Sequence, residues 1–359
     1  MPDFNGKTLL VTGLNGFVCA VLGKYVLSKG YKLRGTVRRL ESIDDIIKGP
    51  LATYKDRVEI VLIPNMTAPG AFDEAVIGVD GIFHVATPVD FSKSSWLDVV
   101  VPAVDGSLNL LASALKKCDS RLTSVVVTGS GNTVCPMMCS DMRQGYVYTE
   151  KDFQDGAVDA FINLGKGDPL ASSSAYIASK VKAEQAVWQW RDENNPPFAV
   201  SMIIPHNILG GTLVPAKSPG RLPLSLQLVY QIWANKDVPN KLFGGGFVDV
   251  EDVAKAHLWA YENPNVADGE RYYAAGGYGP PQAQADFLRN SFPDRKISEG
   301  TPKSDYAPGS DWNGRSVWNW YPEGSAQHSG QKLADQARLV FKPLNQSLLE
   351  TVVGWEKFE

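Results

Sequence analysis

Ser130, Tyr176 and Lys180 are the residues whose types and spacing suit a proton transfer. Ser130 ends the apolar run of VVVTGSGNTV, which predicts a strand delivering it to the C-terminal edge of a sheet, where open α/β sheets place their chemistry. Tyr176 and Lys180 lie one turn apart in SSSAYIASKVKAE, on one face of an expected helix whose serines are available for the N-cap. A tyrosine with its ordinary pKa near 10 protonates a substrate poorly at neutral pH, and a nearby ammonium group favours its ionised form and lowers that pKa. The serine hydroxyl can orient a carbonyl. The bland alternative is a surface helix with an exposed Lys180–Glu184 pair. The same Tyr-x3-Lys spacing occurs at Tyr25 and Lys29, where the tyrosine continues a buried stripe far from any sheet edge, so that copy reads as structural.

These residues need a frame, and the stretch from Lys7 to Gly30 supplies its start. Leu9, Leu10 and Val11 predict a buried strand, and Gly13 and Gly16 allow a sharp turn. Phe17, Val18, Val21, Leu22, Tyr25 and Val26 give the next helix one buried face, ended by Gly30. Strand, glycine turn and helix in this order form a mononucleotide-binding unit, in which backbone N–H groups and the helix dipole hold a pyrophosphate. Cys19 stands where a third small residue is usual, and its extra size predicts looser packing of helix on strand.

Further strands are expected at Lys32–Val37, Val58–Ile63, Gly81–Ala86, Thr123–Thr128 and Phe198–Ile204, with helical periodicity at Phe72–Ile77 and Trp96–Lys117. This alternation predicts an α/β fold, a parallel sheet covered by helices. The second strand ends LRGTVRR with no acid before Glu41. Arg34, Arg38 and Arg39 therefore suit the 2′-phosphate of NADP better than the free hydroxyl of NAD. Asn65 can hydrogen-bond the adenine amino group, Val85, Ala86 and Thr87 should line the cofactor trough, and Lys180 can reach the nicotinamide ribose.

The 359 residues include 35 basic and 39 acidic side chains, a net charge of -4 with no basic stripe, so no nucleic-acid partner is expected. Charges interrupt every hydrophobic segment before about 20 apolar residues accumulate, so no membrane span is expected either. A strand starting at Lys7 leaves no room for a signal peptide, and the four cysteines suggest no disulfide framework; the expected location is cytoplasmic. Cys135 and Cys139 have a metal-like spacing, but His84, His206, His257 and His328 are scattered singly. No metal is expected, and the thiols read as buried or pocket-lining.

Taken together, TGLNGF, LRGTVR, GAFDEAVIGVDGIFHVATP, PAVDGSLNLL, AYIASKVKAE, FVDVEDVAKAH and FKPLNQSLLETV resemble the extended short-chain dehydrogenase/reductases. Within that family the chain is most similar to the NADPH-dependent carbonyl reductases of yeasts and fungi and to plant dihydroflavonol and cinnamoyl reductases. The resemblance implies a Rossmann-type doubly wound parallel sheet and a smaller C-terminal substrate domain. It also implies Ser130, Tyr176 and Lys180 as the catalytic triad. Gly13, Leu14, Asn15, Gly16, Phe17, Val18, Arg38, Asn65, Met66, Thr87 and Ile208 are the implied cofactor contacts, and Pro205 opens the segment beside the nicotinamide carboxamide. Phe91, Cys135, Pro136 and Leu213 flank the substrate in the family's layout, which implies an apolar pocket for bulky aromatic carbonyls.

The departures carry expectations of their own. Thr128-Gly129-Ser130 replaces the usual Thr-Ser-Ser and should make that loop more flexible. Asn65 replaces an aspartate near adenine. Cys135 stands where plant dihydroflavonol reductases carry a substrate-binding asparagine, which argues against a flavonoid. The expected domains are residues 1–211 with 242–275 for the dinucleotide, and 212–241 with 276–359 for the substrate. Thr301–Gly330, with Trp312, Trp318, Trp320 and Tyr321, reads either as an aromatic lid or as a surface loop pinned by its own rings. The activity expected is NADPH-dependent reduction of a ketone or aldehyde by a monomer or homodimer. The alternatives are an epimerase or dehydratase that retains NAD, and a non-catalytic NADPH-binding sensor.

Overall fold

Short apolar segments flanked by glycine turns build the larger sheet. β1 (Thr8–Val11), β2 (Lys32–Val37), β3 (Val58–Leu62), β4 (Gly81–His84), β5 (Ser124–Thr128), β6 (Ala199–Pro205) and β7 (Arg271–Ala274) lie in the order β7-β6-β5-β4-β1-β2-β3. The pairings from β3 across to β6 are all parallel. This is a Rossmann-type α/β sheet. The computed structural model describes residues 4–87, 92–137, 139–164, 167–214, 216–239, 245–302, 321 and 323–358.

Contacts divide the chain into two units. The first comprises Met1–Thr133, Phe153–Ile204 and His257–Arg271; the second comprises Val134–Asp152, Pro205–Ala256 and Tyr272–Glu359.

In the first unit, Leu9, Leu10, Val11 and Leu14 are wholly buried, each contributing about 1.5–3 kcal/mol relative to exposure. α1 (Phe17–Ser28) buries Cys19 to Gly23, Val26 and Leu27, whereas Phe17, Val18 and Tyr25 are only half-buried, so the stripe lies a little to one side of the expected face. The expected strand Gly81–Ala86 stops at His84, because Thr12 Oγ1 accepts the N–H groups of Val85 and Ala86 and removes them from the ladder. Phe72–Ile77 is a turn rather than a helix. Its Phe72, Ala75 and Val76 are buried at helix-like spacing, but Gly70 and Gly78 at φ +71° and +70° close the segment after little more than one turn.

α2 (Val101–Lys117) continues a π-helical start at Trp96–Val100, giving 22 residues that by length and composition alone could cross a membrane, although Asp98 and Asp105 interrupt them, as the sequence shows. Half of that stretch is buried, and α2 packs on α3 (Ala171–Asn194). α3 starts earlier than its serines suggested. Leu170 is the N-cap residue with no side-chain cap, and Asp168 forms the turn that leads into it, accepting the Leu170 N–H through its side chain and the Ala171 N–H through its carbonyl.

The second unit holds a three-stranded sheet of Gly277–Tyr278, Gly246–Asp249 and Asn207–Leu209, and a two-stranded pair of Gln327–His328 with Val147–Tyr148. Its buried Asp249 accepts from Ser347 Oγ at 2.7 Å and pairs with Lys342 at 3.2 Å. Asp249 thereby ties the helix Leu344–Val352 to the small sheet.

Candidate active site

The glycine turn fits a pyrophosphate. Gly13 has φ +71°, and a Cβ there would lie 3.1 Å from Ala86 Cβ; one on Gly16 would lie 3.2 Å from both Cys19 Sγ and the Gly13 carbonyl. Any larger residue would fill the cradle. Gly16 begins α1 with no side-chain cap, and the first turn carries no acid, so the early N–H groups face an anion unopposed. Thr36 holds the turn, accepting the Gly13 N–H at 3.0 Å through Oγ1 and the Leu14 N–H at 2.8 Å through its carbonyl.

One expectation here is corrected, that of Leu14. Cys19 is buried beside the turn, and burial pushes its thiol pKa up to about 12. The Leu14 side chain points into the core, where Gly35 and Gly23 make room for it, so only its backbone is available to a cofactor. Asn15 lies half-exposed on the turn between them.

The three arginines after β1 separate into different roles. Arg34 pairs with Glu59 at 2.9 Å and donates to the carbonyls of Ala75 and Ile77, so it braces β3 and the following turn instead of facing a phosphate. Arg38 and Arg39 are exposed just beyond β2. The Asn65 carboxamide accepts from Thr67 N–H and Oγ1, and Met66 lies against Gly106 with its carbonyl accepting from Asn109. Val85, Ala86 and Thr87 are half-buried, with the first two N–H groups turned inward to Thr12.

Ser130, Tyr176 and Lys180 come together. Ser130 follows the end of β5, is 8% exposed, and its hydroxyl lies close enough to the half-buried Tyr176 hydroxyl to lower the tyrosine's pKa. Lys180 Nζ donates to the Thr128 carbonyl at 3.0 Å, so the helix carrying Tyr176 is pinned to the strand leading to Ser130. Burial raises the Tyr176 pKa above its ordinary value and outweighs the lowering by Ser130, so the hydroxyl keeps the proton a donor needs. The lysine's influence was expected on Tyr176, but the larger change falls on Lys180 itself: burial lowers its pKa to about 8, against a raising influence from Glu184.

Lys180 and Glu184 are not an exposed pair. Both are buried, and Glu184 accepts from Arg271 Nε at 2.6 Å. Gly129 is not a loose hinge either: its N–H donates to the Ile203 carbonyl at 2.8 Å, and a Cβ would lie 3.0–3.2 Å from Ile204 and Met202.

The profile of the NAD dependent epimerase/dehydratase family matches residues 9–276. The chain belongs to that family. Among the relatives, aldehyde reductase 2 of Sporidiobolus salmonicolor is 30% identical over 300 residues, 83% of this chain and 84% of the relative. Dihydroflavonol 4-reductase of Dianthus caryophyllus is 32% identical over 297 residues, 81% of this chain and 75% of the relative. The solved structure of Gre2 from Candida albicans in complex with NADPH superposes with a TM-score of 0.77 at 26% identity, covering 98% of this chain and 99% of that one.

For an epimerase/dehydratase fold, the second unit holds several of the expected contacts. Pro205 ends β6, and Ile208 pairs with Val248 while its carbonyl accepts from Ser225. Cys135 is buried, and Pro136 and Leu213 are half-buried. Phe91, Trp312, Trp318 and Trp320 lie outside the described residues, and so does most of Thr301–Gly330.

The histidines are less scattered than the sequence suggested. Cys135, His206 and His328 are all buried, with donor atoms within 4.8 Å of one another. Residues this far apart in the chain meet only through the fold. His206 Nδ1 accepts the Asn207 N–H at 2.8 Å, which leaves its proton on Nε2 and neither nitrogen ready to ligate. That leaves Cys135 and His328, one donor short of the three protein ligands that zinc usually takes.

Sequence reasoning assigned no role to Thr12, Thr36, Arg271 or His257, and it read Thr128 only as part of the loop before Ser130 and Glu184 only as an exposed partner of Lys180; their contacts at the site come from residues distant in the chain.

Proposed function

We propose that the protein reduces a ketone or aldehyde to an alcohol with NADPH, and that its preferred substrates are bulky and apolar or aromatic. The observation that carries this reading is the Lys180 ammonium, one turn along the helix from Tyr176, anchored at 3.0 Å on the carbonyl of the strand that leads to Ser130, with Ser130 beside the Tyr176 hydroxyl. The named reductases among the relatives support it. NADPH, when bound, supplies the hydride. Ser130 and Tyr176 hydrogen-bond the carbonyl oxygen, and Tyr176 Oη delivers the proton. The Lys180 ammonium then stabilises the tyrosinate that remains. Gly13, Gly16 and the start of α1 hold the pyrophosphate, and the exposed Arg38 guanidinium reads the 2′-phosphate. Residues 212–241 and 276–359 recognise the substrate, with Cys135, Pro136, Leu213 and Phe91 supplying apolar wall.

The test follows NADPH oxidation with a panel of carbonyls. The highest kcat/KM is expected for a bulky aromatic ketone and poor values for small polar aldehydes. A best substrate that is a short hydroxy-aldehyde or a sugar nucleotide would sink the pocket assignment. Conversion of substrate with no net cofactor turnover would replace reduction by epimerisation.

A further inference from the structure

Thr128 does two jobs at the end of β5. Its carbonyl accepts Lys180 Nζ at 3.0 Å, while its Oγ1 lies 2.7 Å from His257 Nε2. His257 is wholly buried, with its ring edge-on to Phe83 on the neighbouring strand at 6.1 Å between centroids, which packs it against the strand end at Thr128. No expected role of Thr128 or His257 explains a buried imidazole at this strand end. Its geometric effect is to fix the residue from which Lys180 hangs.

A buried ammonium needs well-placed acceptors, because one left short of them is desolvated without compensation. The charged and titratable groups whose fields couple to Lys180 are Glu184 from its own helix and His84 from β4, and Arg271 acts on it through Glu184. His84 carries no countercharge: burial and Lys180 lower its pKa to about 3, so it is neutral at working pH. The Thr128 carbonyl is therefore a main local anchor for the lysine.

We propose that His257 is a positioning residue that acts through Thr128 to hold Lys180 in place and charged. The proposal rests on the reductase reading above. Loss of the His257–Thr128 hydrogen bond lets the strand end relax, weakens the Lys180 contact and makes the ammonium easier to deprotonate.

The experiment compares His257→Leu, His257→Gln, Thr128→Val and Thr128→Ser with wild type. Two readouts are used: the pH dependence of kcat, and the titration of Lys180 by NMR in protein carrying 13Cε-lysine without cofactor, its signal assigned by Lys180→Arg. His257→Leu and Thr128→Val are expected to lower kcat about tenfold, with a smaller change in the KM for NADPH, and to move both the alkaline limb and the Lys180 titration to lower pH. The double variant should lose little more than either single one. His257→Gln and Thr128→Ser, which keep a hydrogen-bonding group, should recover most of the shift.

Unchanged kcat and Lys180 titration in a folded His257→Leu, even with a lower Tm, would reduce His257 to packing and overturn the proposal. If His257→Leu does not fold, Thr128→Val decides in the same way. Failure of the reductase reading looks different: wild type then turns over no carbonyl, or Tyr176→Phe stays active, whatever the Lys180 titration shows.

Discussion

The chain carries the Tyr-x3-Lys pattern twice within its first unit, and the two copies have almost nothing else in common. At Tyr25 and Lys29, near the end of α1, the ammonium lies 5.1 Å from the tyrosine ring centroid and the lysine is exposed. That is a surface cation–π contact, contributing about 0.5–1 kcal/mol. At Tyr176 and Lys180 the lysine is buried, its ammonium reaches across to β5, and the tyrosine meets Ser130. Helical spacing puts both pairs on one face. What separates them is what that face meets: solvent in one case, the end of a parallel sheet in the other.

The sharpest way to break this comparison is to remove both hydroxyls. Tyr176→Phe should lower kcat by about 10²–10⁴, the range expected for a lost general acid, with NADPH affinity nearly unchanged, while Tyr25→Phe leaves kcat within twofold. Similar activity in the two variants would undo the assignment of the proton donor. The next contrast is between the lysines. Because the Lys180 pKa is lowered to about 8, the ammonium is present below that pH and lost above it, so kcat should fall as pH rises through about 8. Lys180→Met should abolish this limb along with about 99% of activity, whereas Lys29→Met leaves the profile in place.

A smaller effect is expected from the arginines, which repeat the lesson with a different side chain. Arg38→Ala should raise the KM for NADPH at least about tenfold and that for NADH only a few-fold, since hydrogen bonds to charged groups contribute about 1.5–3 kcal/mol. Arg34→Ala should instead lower Tm with little change in cofactor preference, because its guanidinium is committed to Glu59 and two backbone carbonyls. Equal rises in both constants for Arg38→Ala would mean that it stacks on adenine without reading the phosphate. The mildest test is Gly129→Ala, expected to destabilise by about 1–3 kcal/mol through overpacking against Met202 and Ile204. A gain in Tm would show the loop to be slack, as its glycine first suggested.

By itself the sequence was enough to determine the parallel α/β sheet, most strand positions and the glycine turn, and to single out Ser130, Tyr176 and Lys180 as candidates. These depend on short-range regularities: apolar runs between turns, glycines at fixed offsets, and two side chains one helical turn apart. Even its errors were local ones of the same kind. Phe72–Ile77 has helical burial without helical length, and the serines before Tyr176 lie inside the first turn because the turn at Asp168 starts the helix at Ala171. Tertiary structure alone decided everything that depends on residues distant in the chain. It sent Arg34 to Glu59 and left Arg38 exposed, closed the space around Gly129, gave Glu184 to Arg271, and gathered Cys135, His206 and His328. The reason is physical: spacing along a strand or helix sets which way a side chain points, but its charge state and hydrogen-bond partner depend on what packs against that face. For Lys180 that means the Thr128 carbonyl and the buried His257 behind it, neither of which lies near it in sequence.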